Sequence, residues 1–333
     1  MGKVHLNHFI AQENPAVFCY QVNGSCPRTV HPLGIRLAIY LACTAGIDDH
    51  VGNMAVIISI AHFKQLHSPT NFLTLSMATT DLLVSCVVMP FSMIRSIDPC
   101  RYFGDVFCKV HSCWDIMLYT TSMFHLCFVS VDCYYAVCDS LHYVTKITMA
   151  VIEFFLLISW SFPIFFAFGL VCSGLNVIGA EDFIAGVLAS LIAFFIPGTV
   201  MVGIYIHIFT VARKHAKQIG TGPRTKQADS ESKMKPTSKA ESKATKTLSI
   251  LMGVFVVCWV LFFVLTIIDP FIDFTTPEDL CNVFLWLGYL NSAFNPIIYD
   301  MFYPWFCKAL RMIATGKIFS PDSSTLSMFP AHS

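Results

Sequence analysis

The chain has 333 residues, of which 55% are hydrophobic and only 13% are charged. Soluble domains carry charge on roughly a quarter of their residues, so this composition excludes an ordinary soluble protein and indicates a membrane protein. The formal net charge is zero, which gives no sign of a nucleic-acid partner. The histidines are scattered, and no nucleophile elbow or metal motif occurs, so we predict that the protein is not an enzyme.

Seven apolar runs reach or exceed the ~20 residues that a helix needs to cross a bilayer. They lie at 34–61, 70–95, 105–138, 149–171, 184–212, 244–269 and 277–301. The sequence therefore predicts an all-α membrane protein, a seven-transmembrane helix bundle with a short amphipathic helix after the last span. We expect an extracellular N-terminus over 1–33, the transmembrane domain over 34–301, and a cytoplasmic helix and tail over 302–333.

The basic residues predict the orientation of the bundle. Ten of the 21 Lys and Arg residues lie between 212 and 246, and an excess of positive charge marks a cytoplasmic loop. This third cytoplasmic loop, about 213–243, is also the one flexible linker, because it is rich in Gly, Pro, Ser and Thr. Seven spans then place the N-terminus outside, where Asn23 of the sequence Asn23-Gly24-Ser25 is a candidate glycosylation site.

The last span carries the sequence Asn295-Pro296-Ile297-Ile298-Tyr299, with a polar Asn and a helix-breaking Pro inside an apolar run. In the last of seven apolar segments, this pattern is typical of rhodopsin-like receptors that couple to G proteins. Further residues match that class at the expected places: Gly52, Asn53, Asp81, Trp160, Pro197, Tyr205, Phe255, Cys258 and Trp259.

Within that class, the chain resembles the trace amine-associated receptors. The segments 62–72, 180–183, 275–280 and 303–306 carry the resemblance, which extends from Ser25 to Phe319. It implies a plasma-membrane receptor for small protonated amines that couples to a stimulatory heterotrimeric G protein, raises cAMP and, for most members, serves olfactory neurons. The implied partners are a small amine, that G protein and membrane lipid.

Asp115 is the candidate for binding the amine. It lies in the third span, seven residues and thus two helical turns after Cys108. An ionisable residue inside a membrane helix is costly and usually faces a cavity or a partner, and a carboxylate is the natural counter-ion of a protonated amine. Spans six and seven can supply aromatic faces from Trp259, Phe262, Phe263, Trp286 and Tyr289. The alternative is an Asp that only bonds neighbouring helices.

The resemblance implies two further statements about this site: Asp115 binds the amine, and Tyr289 hydrogen-bonds Asp115. Ser190, on the inner face of span five, is a weaker pocket candidate. No second acidic residue lies beside Ser190, so we expect a single amine on an aromatic or short alkyl body rather than a diamine.

A second polar cluster matches the positions at which relatives hold a sodium ion. Its members are Asp81, Ser122, Asn291, Ser292 and Asn295. One carboxylate with hydroxyl and amide oxygens suits a hard cation. The alternative is a water-filled hydrogen-bond network that packs the helices. We expect no other cofactor.

Several residues depart from the family pattern at its activation motifs, which here comprise Asp132, Cys133, Tyr134, Tyr205, Glu241, Asn295, Pro296 and Tyr299. Where the family has Asp-Arg-Tyr, Cys133 replaces the Arg. In the family that Arg pairs with the acidic residue at the foot of span six, Glu241 here, and contacts the G protein; a Cys can do neither. Leu261 also replaces the Pro that kinks span six.

The outer surface departs from the family as well. About a dozen residues remain for the second outer loop, in which relatives carry a Cys that bridges to the Cys108 position. Cys172 is the substitute candidate for that disulfide. Asp48 and Asp49 lie within span one, where each costs roughly 2.5–3.5 kcal/mol on insertion scales.

The clustered departures leave an alternative function: the same fold as a signalling-incompetent or misfolded product of a decaying gene copy, retained inside the cell. A transporter or channel is the remote alternative, because no internal repeat and no paired broken helices occur.

Overall fold

A computed structural model describes residues 32–97, 104–139, 141–172, 187–188, 190–220, 253, 256–272, 275–302, 304–320 and 322–328. The described residues form helices, turns and connecting segments and contain no strand. The prediction of an all-α bundle of membrane spans is thereby confirmed.

The helix bounds lie within two residues of the predicted ones for spans one to four and seven, but the helix of span five continues to Gly220, beyond the predicted end at 212 and into the segment predicted as the third loop. Span one is Leu33–His62, span three is Gly104–Cys138, span four is Met149–Cys172 and span seven is Glu278–Phe302. Span six is described over Val256–Ile268. Spans two and five are each composed of consecutive helical segments, which are Pro69–Leu83, Val84–Val88 and Met89–Ile97 for span two and Leu191–Phe195 and Ile196–Gly220 for span five.

Within the part of the chain that the structure describes, four helices are long and apolar enough to cross a membrane: Pro69–Ile94, Lys109–Cys138, Met149–Cys172 and Leu191–Val211. The shorter apolar stretches Leu33–Thr44 and His50–His62 lie within the continuous helix of span one. Asp48 and Asp49 lie between them on the helix, and their side chains fall outside the described residues.

Spans two and five each contain a π-helical turn shortly before a proline. Val84–Val88 precedes Pro90, and Leu191–Phe195 precedes Pro197. Proline has no N–H to donate, and its ring crowds the preceding turn of the helix. A single π turn is wider than an α-helical turn, so it accommodates the proline ring and the missing hydrogen bond. Each π turn also shifts the helical register, so the outer end of span two presents a different face from the one that a regular helix would present.

Span three packs against spans two, four and five, and a buried polar junction joins three of these helices. Ser76 accepts a hydrogen bond from Trp160 Nε1 at 2.9 Å and lies 2.7 Å from His125 Nε2. His125 Nδ1 lies 2.8 Å from the carbonyl of Thr121, which can only accept, so Nδ1 donates and Nε2 accepts from Ser76. The junction satisfies its buried polar groups, as a stable membrane core requires.

The C-terminal end of span three holds Asp132 between two neutral donors. Thr70 Oγ1 donates to its carboxylate at 3.0 Å and Tyr143 OH donates at 2.9 Å. Burial, and then the charge of Asp132, raise the pKa of Tyr143 to about 12, so its hydroxyl keeps its proton at neutral pH. Cys133 is buried beside this group, and within the described residues no Lys or Arg forms an ion pair with Asp132.

The amphipathic helix after span seven is Pro304–Ala314, with Trp305 and Phe306 buried and Lys308 and Arg311 exposed. The chain then folds back onto the C-terminal end of span one. Ser323 Oγ lies 2.9 Å from His62 Nε2, the Met328 N–H donates to Gln65 Oε1 at 3.0 Å, and Lys308 Nζ donates to the carbonyl of Ser327 at 2.6 Å. The side chain of Met328 is buried under this contact.

Candidate functional site

The structure brings Asp115 and Tyr289 together across spans three and seven. The Tyr289 hydroxyl donates to Asp115 Oδ2 at 2.9 Å. Tyr289 is buried, whereas Asp115 is half-buried. A carboxylate can accept about four hydrogen bonds, so the bond from Tyr289 leaves acceptor capacity on Asp115 for a cationic ligand.

The predicted aromatic residues surround this pair. The Trp286 and Tyr289 rings are 5.5 Å apart and perpendicular, and the Trp259 ring lies 6.5 Å from Tyr289. Phe263 and Phe262 lie 5.9 Å and 6.1 Å from Trp259. Tyr289, which donates to the Asp115 carboxylate, is therefore part of an aromatic cluster that spans six and seven form together.

Two aromatic residues of the site escaped the sequence analysis. Tyr119 lies four residues after Asp115, on the same face of span three, and its ring is 5.5 Å from Trp259. Phe194 stacks on Phe263 with ring centroids 4.3 Å apart. The spacing of Tyr119 from Asp115 was a usable signal. Ser190 is buried one turn before Phe194, which places it on the span-five side of this aromatic cluster.

Three further residues of the site, Ser92 and Ser96 of span two and His111 of span three, were not predicted from the sequence. Ser92 Oγ lies 3.3 Å from the Tyr289 hydroxyl, and His111 Nε2 lies 3.4 Å from Ser92 Oγ. One turn further out, Trp286 Nε1 donates to Ser96 Oγ at 3.2 Å. Ser92 and Ser96 of span two thus contact Tyr289 and Trp286 of span seven, and Tyr289 in turn contacts Asp115.

Three cavities of about 430 to 530 Å³ lie elsewhere on the bundle. The largest, about 530 Å³, lies between spans three and four and is lined by residues such as Cys113, Trp114 and Phe168. The other two lie between span one and the helix Pro304–Ala314, and between spans five and six. Asp115 lines none of these three cavities, and its site is described by the side chains that converge on it.

The second polar cluster is fully buried. Asn295 Nδ2 donates to Asp81 Oδ2 at 2.6 Å, and the Ser292 side chain also bonds the Asp81 carboxyl group. Asp81 Oδ1, Ser122 Oγ and Asn291 Oδ1 are buried and have no hydrogen-bond partner among the described residues. Buried polar atoms are costly unless they are satisfied, so these three oxygens fit a small cation or ordered water. Within the described residues, no group of three His, Cys, Asp or Glu side chains forms a metal site of another kind.

Gly288 lies where span seven packs against Trp259. A Cβ atom on Gly288 would lie 2.9 Å from two carbons of the Trp259 indole, which is buried among other rings. Overpacking of this kind costs about 1–3 kcal/mol. We expect Gly288→Ala to lower the thermal unfolding temperature of the detergent-solubilised chain. The control is Gly203→Ala, because a Cβ at Gly203 meets nothing within 4 Å; equal unfolding temperatures for the two variants would contradict the packing.

Cys172 is the candidate partner of Cys108 in a disulfide. It is a free thiol in the structure, so it forms no disulfide with Cys108. Cys172 instead lines the same cavity as Cys113. The side chain of Cys108 lies outside the description.

The remaining motif residues are only partly described. Tyr134 is half-buried with its ring 5.5 Å from His207, and Tyr205 is half-buried on span five. Pro296 and Tyr299 lie on the helix Glu278–Phe302, but their side chains fall outside the described residues, as do Asn23 and Glu241 entirely. The glycosylation site and the acidic residue at the foot of span six therefore stay predictions.

Comparison with known proteins places this arrangement in a family. Residues 52–299 match the family described as 7 transmembrane receptor (rhodopsin family). Trace amine-associated receptor 4 of Mus musculus is 73% identical over 333 residues, which cover 95% of this chain and 96% of the relative. Trace amine-associated receptor 1 of Homo sapiens is 45% identical over 331 residues, covering 94% of this chain and 98% of the relative. The chain therefore belongs to the rhodopsin family of seven-transmembrane receptors and, within it, to the trace amine-associated receptors.

Proposed function

We propose that this receptor binds small protonated amines through Asp115 and, when coupled to a stimulatory G protein, raises cAMP. The observation that carries the proposal is the carboxylate of Asp115, held by the Tyr289 hydroxyl at 2.9 Å inside an aromatic cluster of spans three, five, six and seven. A desolvated carboxylate attracts an ammonium group strongly, and the rings add cation–π attraction. The ligand is expected to be an aromatic or short alkyl monoamine.

Four compounds test this proposal by competition in membranes that contain the full chain. 2-Phenylethylamine and 2-phenylethanol share a carbon skeleton and differ in charge, so the amine is expected to bind and the alcohol is not. 3-Methylbutylamine tests a short alkyl body, and 1,5-diaminopentane tests a diamine. We expect the diamine to bind more weakly than either monoamine, because its second ammonium group would enter the aromatic cluster without a counter-ion. Equal binding of the amine and the alcohol would contradict the proposal.

We also propose that the receptor lies in the plasma membrane with its N-terminus outside, glycosylated at Asn23. The concentration of basic residues between 212 and 246 supports this orientation. Most relatives named by the resemblance serve olfaction, and we extend that role to this chain. Digestion of the surface protein with an N-glycosidase, followed by electrophoresis, tests the orientation: a shift in the unmodified chain and none in Asn23→Gln is the expected result.

We propose a sodium site at Asp81, Ser122, Asn291, Ser292 and Asn295. A ligand that binds only the folded state raises the unfolding temperature. We expect the solubilised chain to unfold at a higher temperature in NaCl than in N-methylglucamine chloride of equal concentration, and Asp81→Asn to abolish that difference. Asp139→Asn is the control, because Asp139 is a half-exposed carboxylate outside the cluster. A sodium effect that survives in Asp81→Asn would favour the water-filled network instead.

A second candidate function is the same fold without signalling. It is favoured by Cys133, which is buried at the position of the family's Arg, and by Asp132, which is held by the neutral hydroxyls of Thr70 and Tyr143. In this alternative the chain binds amines but does not activate a G protein, or is retained inside the cell. Surface labelling together with a cAMP assay separates the two candidates.

A further inference from the structure

We infer that His111 and Ser92 are positioning residues for the amine site: with Tyr289 they form a hydrogen-bond chain that runs in one direction and ends on the Asp115 carboxylate. The inference rests on the proposed function, because it concerns how Asp115 is presented to an amine. Four residues from spans two, three and seven form the chain, and only Asp115 and Tyr289 follow from the family resemblance.

The direction of the chain begins at His111. Its Nε2 atom lies 3.2 Å from the backbone carbonyl of Val88 and 3.4 Å from Ser92 Oγ. A carbonyl oxygen can only accept a hydrogen bond, so Nε2 carries the proton in the neutral and in the charged imidazole. The Nε2–H group is therefore shared between the carbonyl and Ser92, and Ser92 Oγ accepts on this side.

The chain then passes through two hydroxyl groups. Tyr289 has one proton, which it donates to Asp115 Oδ2 at 2.9 Å. Its oxygen must therefore accept from Ser92, 3.3 Å away. Ser92 also has a single proton, and this proton points to Tyr289. Every donor in the series thus points toward the carboxylate, and hydrogen bonds arranged in this way polarise and strengthen one another.

Packing fixes the first member of the chain. His111 is 7% exposed, its ring stacks on Phe107 with an interplanar angle of 22°, and the edge of Phe91 meets it at 77°. Phe91 and Phe107 also contact each other at 5.0 Å. These two rings restrict the rotation of the imidazole, so Nε2 is presented to Ser92 without a large loss of side-chain entropy on ligand binding.

The hydrogen-bond chain acts on amine binding through the Tyr289 hydroxyl. A tyrosine hydroxyl that accepts from Ser92 is a stronger donor to Asp115, and its ring is held in place by a second contact. Without Ser92 or the His111 donor, the hydroxyl can turn away from Asp115, and the carboxylate loses part of its fixed orientation toward an incoming ammonium group. We expect an affinity loss of about three- to tenfold, which corresponds to one net hydrogen bond.

Competition binding of 2-phenylethylamine to membranes with the full chain tests this inference. His111→Leu and Ser92→Ala are expected to weaken binding by about three- to tenfold. His111→Gln is expected to bind like the unmodified chain, because the amide nitrogen of Gln can occupy the Nε2 position and donate, and Ser92→Thr keeps the hydroxyl. Ser59→Ala is the matched control, since Ser59 is also buried and its hydroxyl donates to the backbone carbonyl of Ala55 within span one, away from the amine site.

A double-variant comparison separates positioning from a general packing role. In a Tyr289→Phe background the hydrogen-bond chain is already interrupted, so His111→Leu should cause no further loss of affinity. A loss that adds in full to that of Tyr289→Phe would overturn the inference, as would unchanged affinity in both His111→Leu and Ser92→Ala. If His111→Leu is not expressed, comparing the amine affinities of Ser92→Ala and Ser92→Thr tests the same hydrogen-bond chain.

The outcomes distinguish this inference from the proposed function. Binding that is lost in Asp115→Asn but unaffected by His111→Leu and Ser92→Ala would leave the amine site standing and remove the positioning role. No binding of 2-phenylethylamine, 3-methylbutylamine or 1,5-diaminopentane by the unmodified chain at normal surface amounts would remove both.

Discussion

Asp115→Asn is expected to lower the affinity for a monoamine by at least about 100-fold. Removing one partner of a buried charged pair costs about 3–5 kcal/mol, and each 1.4 kcal/mol is a factor of ten in the dissociation constant. Asn keeps the shape of Asp115 and an oxygen that can accept from Tyr289. The variant therefore removes the negative charge and disturbs the packing little, so the loss reports on the electrostatic attraction of the ammonium group.

Competition binding at matched surface amounts measures this effect. Asp139→Asn is the control, because that carboxylate is half-exposed at the cytoplasmic end of span three and pairs with His142 at 2.7 Å. A change of less than threefold in Asp115→Asn would show that the amine is held elsewhere in the bundle.

Cys133→Arg is expected to increase amine-stimulated cAMP production at least about fivefold over the unmodified chain. The unmodified chain presents a buried carboxylate, Asp132, that is satisfied only by the hydroxyls of Thr70 and Tyr143 among its described side-chain hydrogen bonds. An Arg at the next position would place a permanent cation beside that carboxylate and restore a basic group at the cytoplasmic end of span three. Charge-assisted hydrogen bonds are roughly twice as strong as neutral ones.

The control for this gain is Cys138→Arg, which adds the same side chain five residues further along span three. Cys138 is half-buried and lies 3.9 Å from His207, on a different face of the helix from Cys133. A cAMP response of the unmodified chain that already equals that of Cys133→Arg would show that position 133 does not limit signalling. Leu261→Pro can then be added, because Leu261 lies on the uninterrupted helix Val256–Ile268 where the family has its kink.

The sequence predicts the position of most of the regular helices. Apolar length alone places span one within a residue of Leu33–His62 and span four within a residue of Met149–Cys172. The family pattern brings Asp115 to Tyr289 and Asp81 to Asn295, and both pairs form hydrogen bonds. These pairs were predictable only through the resemblance, because the periodicity of a single helix does not show which residues of two different helices face each other.

Ser92 was not predictable in the same way. The π turn Val84–Val88 shifts the register of span two by about one residue, so a periodic count that starts at Asp81 does not tell which face carries Ser92. His111 escaped for another reason: a lone histidine on an apolar helix has no distinctive spacing. Only the side-chain contacts of the folded bundle join it to Ser92.

Two hydroxyl residues of the folded-back C-terminal segment differ in solvent exposure. Ser323 is 3% exposed because it contacts His62, whereas Thr325 lies on the surface. We expect a kinase to reach Thr325 with the segment in place, but Ser323 only after the segment detaches from span one. Phosphate at Ser323, carrying about −1.5 to −2 charges, would then hinder the return of Ser323 to its buried position, so the docking of the tail would determine the order in which a kinase modifies the two residues.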